Sequence, residues 1–232
     1  MSERSFVSNE TRNRIRGAIA PIGAAMGRAG ISPNAVTVVG FLGTCLAAVA
    51  AATQWWLAAG ILVLAFGIFD LFDGAVARAT GTVSAFGAFL DSTLDRTGEN
   101  LVLGGIAVGC AAAGFDLGVA LAVLAMAFAS VVTYTRARAE AVGLRGDVGI
   151  APRPERLVLL TVGLVLTGLL GGLPESRPFG DAVIGMPWGW LYLDSGEPWL
   201  SLALGIITLT SAVTVVQRIL FVRRQSLEQK ER

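Results

Sequence analysis

Six ionisable residues, Asp70, Asp73, Arg78, Asp91, Asp95 and Arg96, stand in or beside two apolar stretches. An ionisable group inside a membrane span costs at least about 2.5 kcal/mol on insertion scales, so such residues are read first as functional. Asp70 and Asp73 are spaced i,i+3 and Asp91 and Asp95 i,i+4, so on helices each pair faces one direction. The short turn Ala79 to Ser84, with Gly81, predicts a hairpin that brings the four carboxylates together. Left unpaired, they would repel one another severely. Hard divalent cations relieve that repulsion, and two ions about 3.5–4 Å apart suit phosphoryl chemistry. Gly74 and Gly87 remove side chains beside the carboxylates and leave backbone room for a phosphate or a nucleotide. The plainer alternative is a structural network in which the aspartates only pair with Arg78 and Arg96.

Composition narrows the chemistry from the other side. The 232 residues are 54% hydrophobic and 15% charged, with a mean hydropathy of +0.67, which selects the membrane class. Histidine is absent, which excludes His general bases and His metal ligands. The single lysine, Lys230, lies near a polar end, away from any Schiff-base or phosphate-loop role. Cys45 and Cys110 sit in apolar stretches and make neither a zinc site nor a disulfide scaffold. Carboxylates, arginines, hydroxyls and a metal they could hold remain.

A spanning helix needs about 20 mostly apolar residues. Six runs qualify: Ala35 to Gln54, Trp56 to Arg78, Ala85 to Ala113, Leu117 to Glu140, Pro154 to Gly172 and Trp199 to Leu220. Before them, Asn13 to Ala29 alternates arginine with apolar residues at helical spacing, which predicts an amphipathic helix on the membrane surface. The expected fold is therefore an all-α integral membrane protein, six transmembrane helices plus that surface helix. Residues 1–34 form a tail and juxtamembrane helix, 35–222 the six-span domain and 223–232 a second tail. With six spans, 17 of the 18 basic residues fall on one side or at its edge, Arg177 being the exception. The positive-inside rule makes that side cytoplasmic, with both termini and the four aspartates. The expected location is the cell membrane. The connection Leu173 to Pro198, with Trp188 and Trp190, becomes an external loop.

Written out, Asp70-x2-Asp73-Gly74-x2-Ala77-Arg78-x8-Gly87-x3-Asp91-x3-Asp95 resembles the signature of the CDP-alcohol phosphotransferases, with each of its fixed positions present. These are integral membrane enzymes of phospholipid synthesis. The resemblance implies that Asp70, Asp73, Asp91 and Asp95 bind one or two Mg²⁺ or Mn²⁺ ions, with Asp95 also the general base. It implies that Gly74, Arg78 and Ser84 hold the donor's cytidine diphosphate. The opening of the first run, Ser32-Pro33-Asn34-Ala35-Val36-Thr37, is similar to the family's CDP-binding turn, and a helix N-terminus there offers free N–H groups. The reaction implied is in-line attack of an alcohol on a CDP-lipid such as CDP-diacylglycerol, with CMP as leaving group. A homodimer in the lipid bilayer is implied as well, with no nucleic-acid partner.

A second polar cluster bears on the alcohol. Thr133, Arg136, Arg153, Arg156 and Arg218 come from three segments ending on the aspartate side. Converging guanidiniums suit an acceptor that is itself a phosphate monoester, a phosphorylated polyol. The segments Arg136-Ala-Arg-Ala-Glu140 and Arg153-Pro-Glu-Arg156 resemble those of the branch that makes phosphatidylinositol phosphate, or its archaeal ether-lipid counterpart, from inositol phosphate. Glycerol phosphate is the competing acceptor, and topology anchoring is the alternative role for these arginines. Outside this class, a divalent-cation carrier would use the same aspartates but needs acidic groups near mid-bilayer with access from both sides. A non-catalytic scaffold subunit is the remaining alternative.

Overall fold

The apolar runs fold into helices whose ends are set by local chemistry. The computed structural model describes residues 9–150, 153–173 and 196–230. Its seven helices are α1 (Asn9–Arg28), α2 (Pro33–Ala52), α3 (Trp56–Thr80), α4 (Ala85–Ala112), α5 (Asp116–Ala141), α6 (Arg153–Leu169) and α7 (Glu197–Lys230). No strand occurs among the described residues. Ser32 caps α2, its hydroxyl accepting from the Ala35 amide at 3.2 Å, and Pro33 fills the first turn, where no amide bond is lost. Gly81 ends α3 in the left-handed region at φ +68°, and Ser84 caps α4 by accepting from the Gly87 amide at 3.0 Å.

The helices bury small residues and turn large ones outward. On α2, Gly43, Ala47 and Ala51 are buried while Leu42, Leu46 and Val49 are more than half exposed. That inversion suits a lipid surround, where small faces let backbones approach and large apolar faces meet the acyl chains. A Cβ on Gly105 or Gly109 of α4 would collide with the carbonyl oxygens of Ala48 and Ala51, so these glycines fix the α2–α4 approach. Trp56, Leu103, Ile106, Leu164 and Leu204 fill the centre.

Helices α2, α3, α5 and α7 are long and apolar enough to cross a membrane. Helix α4 carries Asp91, Asp95, Arg96 and Glu99 within its first fifteen residues, and α6 has only 17 residues. The expected surface helix corresponds in sequence to α1, which begins earlier, at Asn9, and rests on α3 where Gly23 meets Ala75. Residues 174–195 of the expected external loop lie outside the described residues.

The order of contacts departs from the expected hairpin. Although consecutive, α3 and α4 do not pack on one another. Helix α2 packs against both, and the pairings run α2–α3–α6–α7–α5–α4 and back to α2, a closed circuit of six helices. The connection through Thr82 and Val83 joins two helices that meet through α2 rather than directly. The two aspartate-bearing faces thus border a cleft.

Candidate active site

The cleft begins where three helix ends meet. The Thr37 hydroxyl, one turn into α2, donates to Asp73 Oδ2 at 2.8 Å and also lies 3.1 Å from the Pro33 carbonyl oxygen. Asp73 is buried, and the Gly74 amide donates to its other oxygen. A Cβ on Gly74 would stand 3.1 Å from an Arg78 guanidinium nitrogen, so the bare backbone lets Arg78 fold back along its own helix. A Cβ on Gly87 would meet the Ser84 hydroxyl at 3.1 Å and the Asn34 side-chain oxygen at 3.4 Å. Pro33, Asn34, Thr37, Gly74, Arg78 and Ser84 therefore share one end of the bundle. Ala35 is exposed there and Val36 turns into the core.

The four aspartates face one another in pairs across the cleft. Asp73 on α3 stands near Asp91 on α4, and Asp70 near Asp95. Arg153, the first residue of α6, reaches between the helices. One of its terminal nitrogens donates to Asp70 Oδ2 at 2.8 Å and to Asp95 Oδ2. Among the described residues no three acidic or cysteine side chains are drawn together tightly enough to ligate one ion. The guanidinium stands between two of the four.

Behind Arg153 the arginines divide by partner. Arg156 is 3% exposed and grips Glu99 with two nitrogens, at 2.9 and 3.0 Å. Glu99 also pairs with Arg96 at 3.3 Å. Arg218 is buried and donates to the carbonyl oxygens of Val148, at 2.8 Å, and Val132. Arg136 is exposed and pairs with Glu140 at 3.0 Å, and the Thr133 hydroxyl donates to the Ala129 carbonyl. These contacts turn Arg156 and Arg218 toward protein partners, which the expectation of open phosphate-facing guanidiniums did not include. All the same, Arg96, Arg136 and Arg156 lie close enough to Arg218 for their charges to act on it. Asp70, Glu99, Arg153 and Arg156 line one cavity together with Val63, Leu103 and Ile207.

Two further residues contribute. Glu99 is i+4 from Asp95 and i+8 from Asp91, so the spacing that singled out the aspartates also reaches it. Gln225 exchanges both amide hydrogen bonds with the Arg145 backbone, at 2.8 and 3.1 Å, and pins the α5–α6 connection to α7. In that connection Arg145 sits 2.7 Å from Asp147 and holds its carboxyl below the usual range. No sequence signal marked Gln225.

The family model for CDP-alcohol phosphatidyltransferases matches residues 30–192, which takes in the capped turn, all four aspartates and Arg153. The chain belongs to this family. Among CDP-alcohol phosphatidyltransferases it is similar to the phosphatidylinositol phosphate synthase of Cutibacterium acnes, at 38% identity over 88% of this chain and 91% of that one. The archaetidylinositol phosphate synthase of Methanothermobacter thermautotrophicus is also 38% identical, over 76% of this chain and 84% of that one. The crystal structure of Mycobacterium tuberculosis phosphatidylinositol phosphate synthase with CDP-DAG bound superposes with a TM-score of 0.73 at 30% identity, covering 88% and 92% of the two chains. A second structure of that protein, in complex with manganese and citrate, has the same TM-score.

The donor set fits the divalent ion that this family of transferases uses. The two cleft faces offer oxygen ligands only, the preference of Mg²⁺ and Mn²⁺ over softer metals. Their negative charge is already drawing in a cation, since Arg153 lies on Asp70 and Asp95.

Proposed function

We propose that this chain transfers the phosphatidyl group of CDP-diacylglycerol to inositol phosphate, giving phosphatidylinositol phosphate and CMP. The observation that carries the reading is the meeting of two facing aspartate pairs with an arginine cluster at one end of a helical bundle. The likeness to phosphatidylinositol phosphate synthases over most of both chains supports the acceptor.

In this reading Asp70, Asp73, Asp91 and Asp95 hold one or two Mg²⁺ or Mn²⁺ ions, which supply charge neutralisation at the donor's diphosphate. Pro33 to Thr37, Gly74, Arg78 and Ser84 bind the cytidine diphosphate moiety. Asp95 accepts the proton of the acceptor hydroxyl as its oxygen attacks the β-phosphorus, and the bond to the α–β bridging oxygen breaks with its electron pair leaving on CMP. Arg153, with Thr133, Arg136, Arg156 and Arg218, draws in the acceptor's phosphate. The assay is CMP release by the purified protein in detergent, with CDP-diacylglycerol and a panel of inositol phosphate, inositol, glycerol phosphate and serine. Inositol phosphate is expected to be the best acceptor. A preference for unphosphorylated inositol would remove the phosphate clamp and leave the transferase chemistry.

The two ends of the site should separate kinetically. Arg78→Ala is expected to raise KM for CDP-diacylglycerol with little change for inositol phosphate. Arg136→Ala should do the reverse, because Arg136 is the exposed member of the cluster and its loss empties no buried site. One lost charge-assisted bond corresponds to about 1.5–3 kcal/mol, or roughly tenfold to a hundredfold in the affected KM. If both variants only reduce the yield of folded protein, the arginines are topology anchors.

Six crossings, with α4 and α6 completing the four apolar spans, belong to the same proposal. So do the lipid-surface position of α1, the six-span domain over 35–222, and a homodimer. The basic asymmetry of the sequence supports placing both termini and the aspartates in the cytoplasm. Single-cysteine labelling without Cys45 and Cys110 tests the topology. A probe excluded from the cytoplasm should react with Gly185→Cys and fail with Arg145→Cys. The opposite pattern would put the aspartates across the membrane from a cytosolic donor.

A further inference from the structure

Resting on this reading of the aspartates, we propose that Arg153 is the resident cation of the four-aspartate cluster and is displaced by the divalent ion, so that metal loading frees it for the acceptor's phosphate. Three observations converge on it. Arg153 touches an aspartate of each wall, Asp70 on α3 and Asp95 on α4. Those walls do not pack on one another, so its guanidinium is a direct bridge between them. Arg153 is also the first residue of α6, one turn before Arg156 of the arginine cluster.

The two occupants compete for the same oxygens. A guanidinium stays charged at every physiological pH and has donors only, so it uses carboxylate lone pairs as a metal ion does. The Oδ2 atoms of Asp70 and Asp95 cannot give the same lone pairs to both. A divalent ion brings twice the charge to the same oxygens and is the stronger competitor. The released guanidinium keeps its place at the head of α6, beside the cavity it shares with Arg156 and Glu99. There its forked donors match a phosphate monoester. The acceptor then finds its full set of donors only in the metal-loaded protein, which orders the two binding events without a moving domain.

The test compares wild type and Arg153→Gln in detergent, by Mn²⁺ titration calorimetry and by thermal unfolding in EDTA and in saturating Mn²⁺. Arg153→Gln is expected to bind Mn²⁺ at least about tenfold tighter, because no internal cation competes. It should melt below wild type in EDTA, where four carboxylates have lost their counter-charge, and draw level with wild type in Mn²⁺. An arginine that only anchors α6 would leave the same gap in both conditions, and that result overturns the inference. So does an unchanged Mn²⁺ affinity. The wild-type protein gives an independent check. A structure with Mn²⁺ in the cluster should show Arg153 off Asp70 and Asp95, and retention of both contacts overturns the inference even if the glutamine variant does not fold. Absence of Mn²⁺ binding by wild type would instead remove the metal reading on which the inference stands.

Discussion

Asp95→Asn is expected to lower the rate of CMP release at least about 10²-fold while the protein stays folded, the scale on which one acid–base or electrostatic element contributes. The residue faces Asp70 across the cleft and lies against Arg153, so asparagine keeps the shape and removes both the proton acceptor and one negative charge. Asp91→Asn should fall by a similar factor, since Asp91 lies across from Asp73 in the second facing pair. Activity of all three proteins should vanish in excess EDTA and return with Mg²⁺ or Mn²⁺. Wild-type turnover by Asp95→Asn, or full activity in EDTA, would sink the mechanism.

The second large effect concerns stability. Glu99 and Arg156 form a largely buried, two-nitrogen ion pair 57 residues apart, joining α4 to α6 beside the cavity. Breaking such a pair from one side costs roughly 3–5 kcal/mol, because the remaining charge keeps its desolvation penalty without its partner. Glu99→Gln should therefore lower the thermal midpoint in detergent by several degrees. Replacing both members with leucine should recover most of that loss, since an apolar pair of similar volume is often as stable. The double variant still lacks a guanidinium of the proposed acceptor site, so its KM for inositol phosphate should stay raised. Recovery of both stability and KM would make Arg156 a structural residue alone.

Much of this was legible in the sequence, for reasons that differ by feature. The aspartates could be read because helical spacing and the cost of charge in lipid act locally, within eight residues. The caps at Ser32 and Ser84 are equally local, each set by a hydroxyl and an amide three residues on. The splay of α3 from α4 was not legible. A short connection predicts antiparallel neighbours, but the contest between α2 and α4 for α3 is decided by matched glycine and alanine faces. Nor could the partners of the arginines be read. Arg156 chooses Glu99, and Arg218 chooses two backbone carbonyls 70 and 86 residues away. Sequence spacing assigns a guanidinium to a side of the membrane without saying which oxygen it meets.

The circuit of helices has a consequence for how the protein is made. In chain order α2 meets α3 at once and α4 soon after, but α3 waits for α6, and α5 waits for α7, the last helix to emerge. The ring therefore closes only when synthesis has passed every other segment. Asp95 precedes Arg153 by 58 residues. At about 5–20 residues per second the nascent chain carries its four aspartates for roughly 3–12 s before the counter-charge on α6 is even polymerised. During that interval the acidic faces of α3 and α4 must be tolerated by the insertion machinery or shielded by ions and water. A ribosome stalled between α5 and α6 would hold the chain in its most electrostatically exposed form, which makes that stretch the place where quality control has most to recognise.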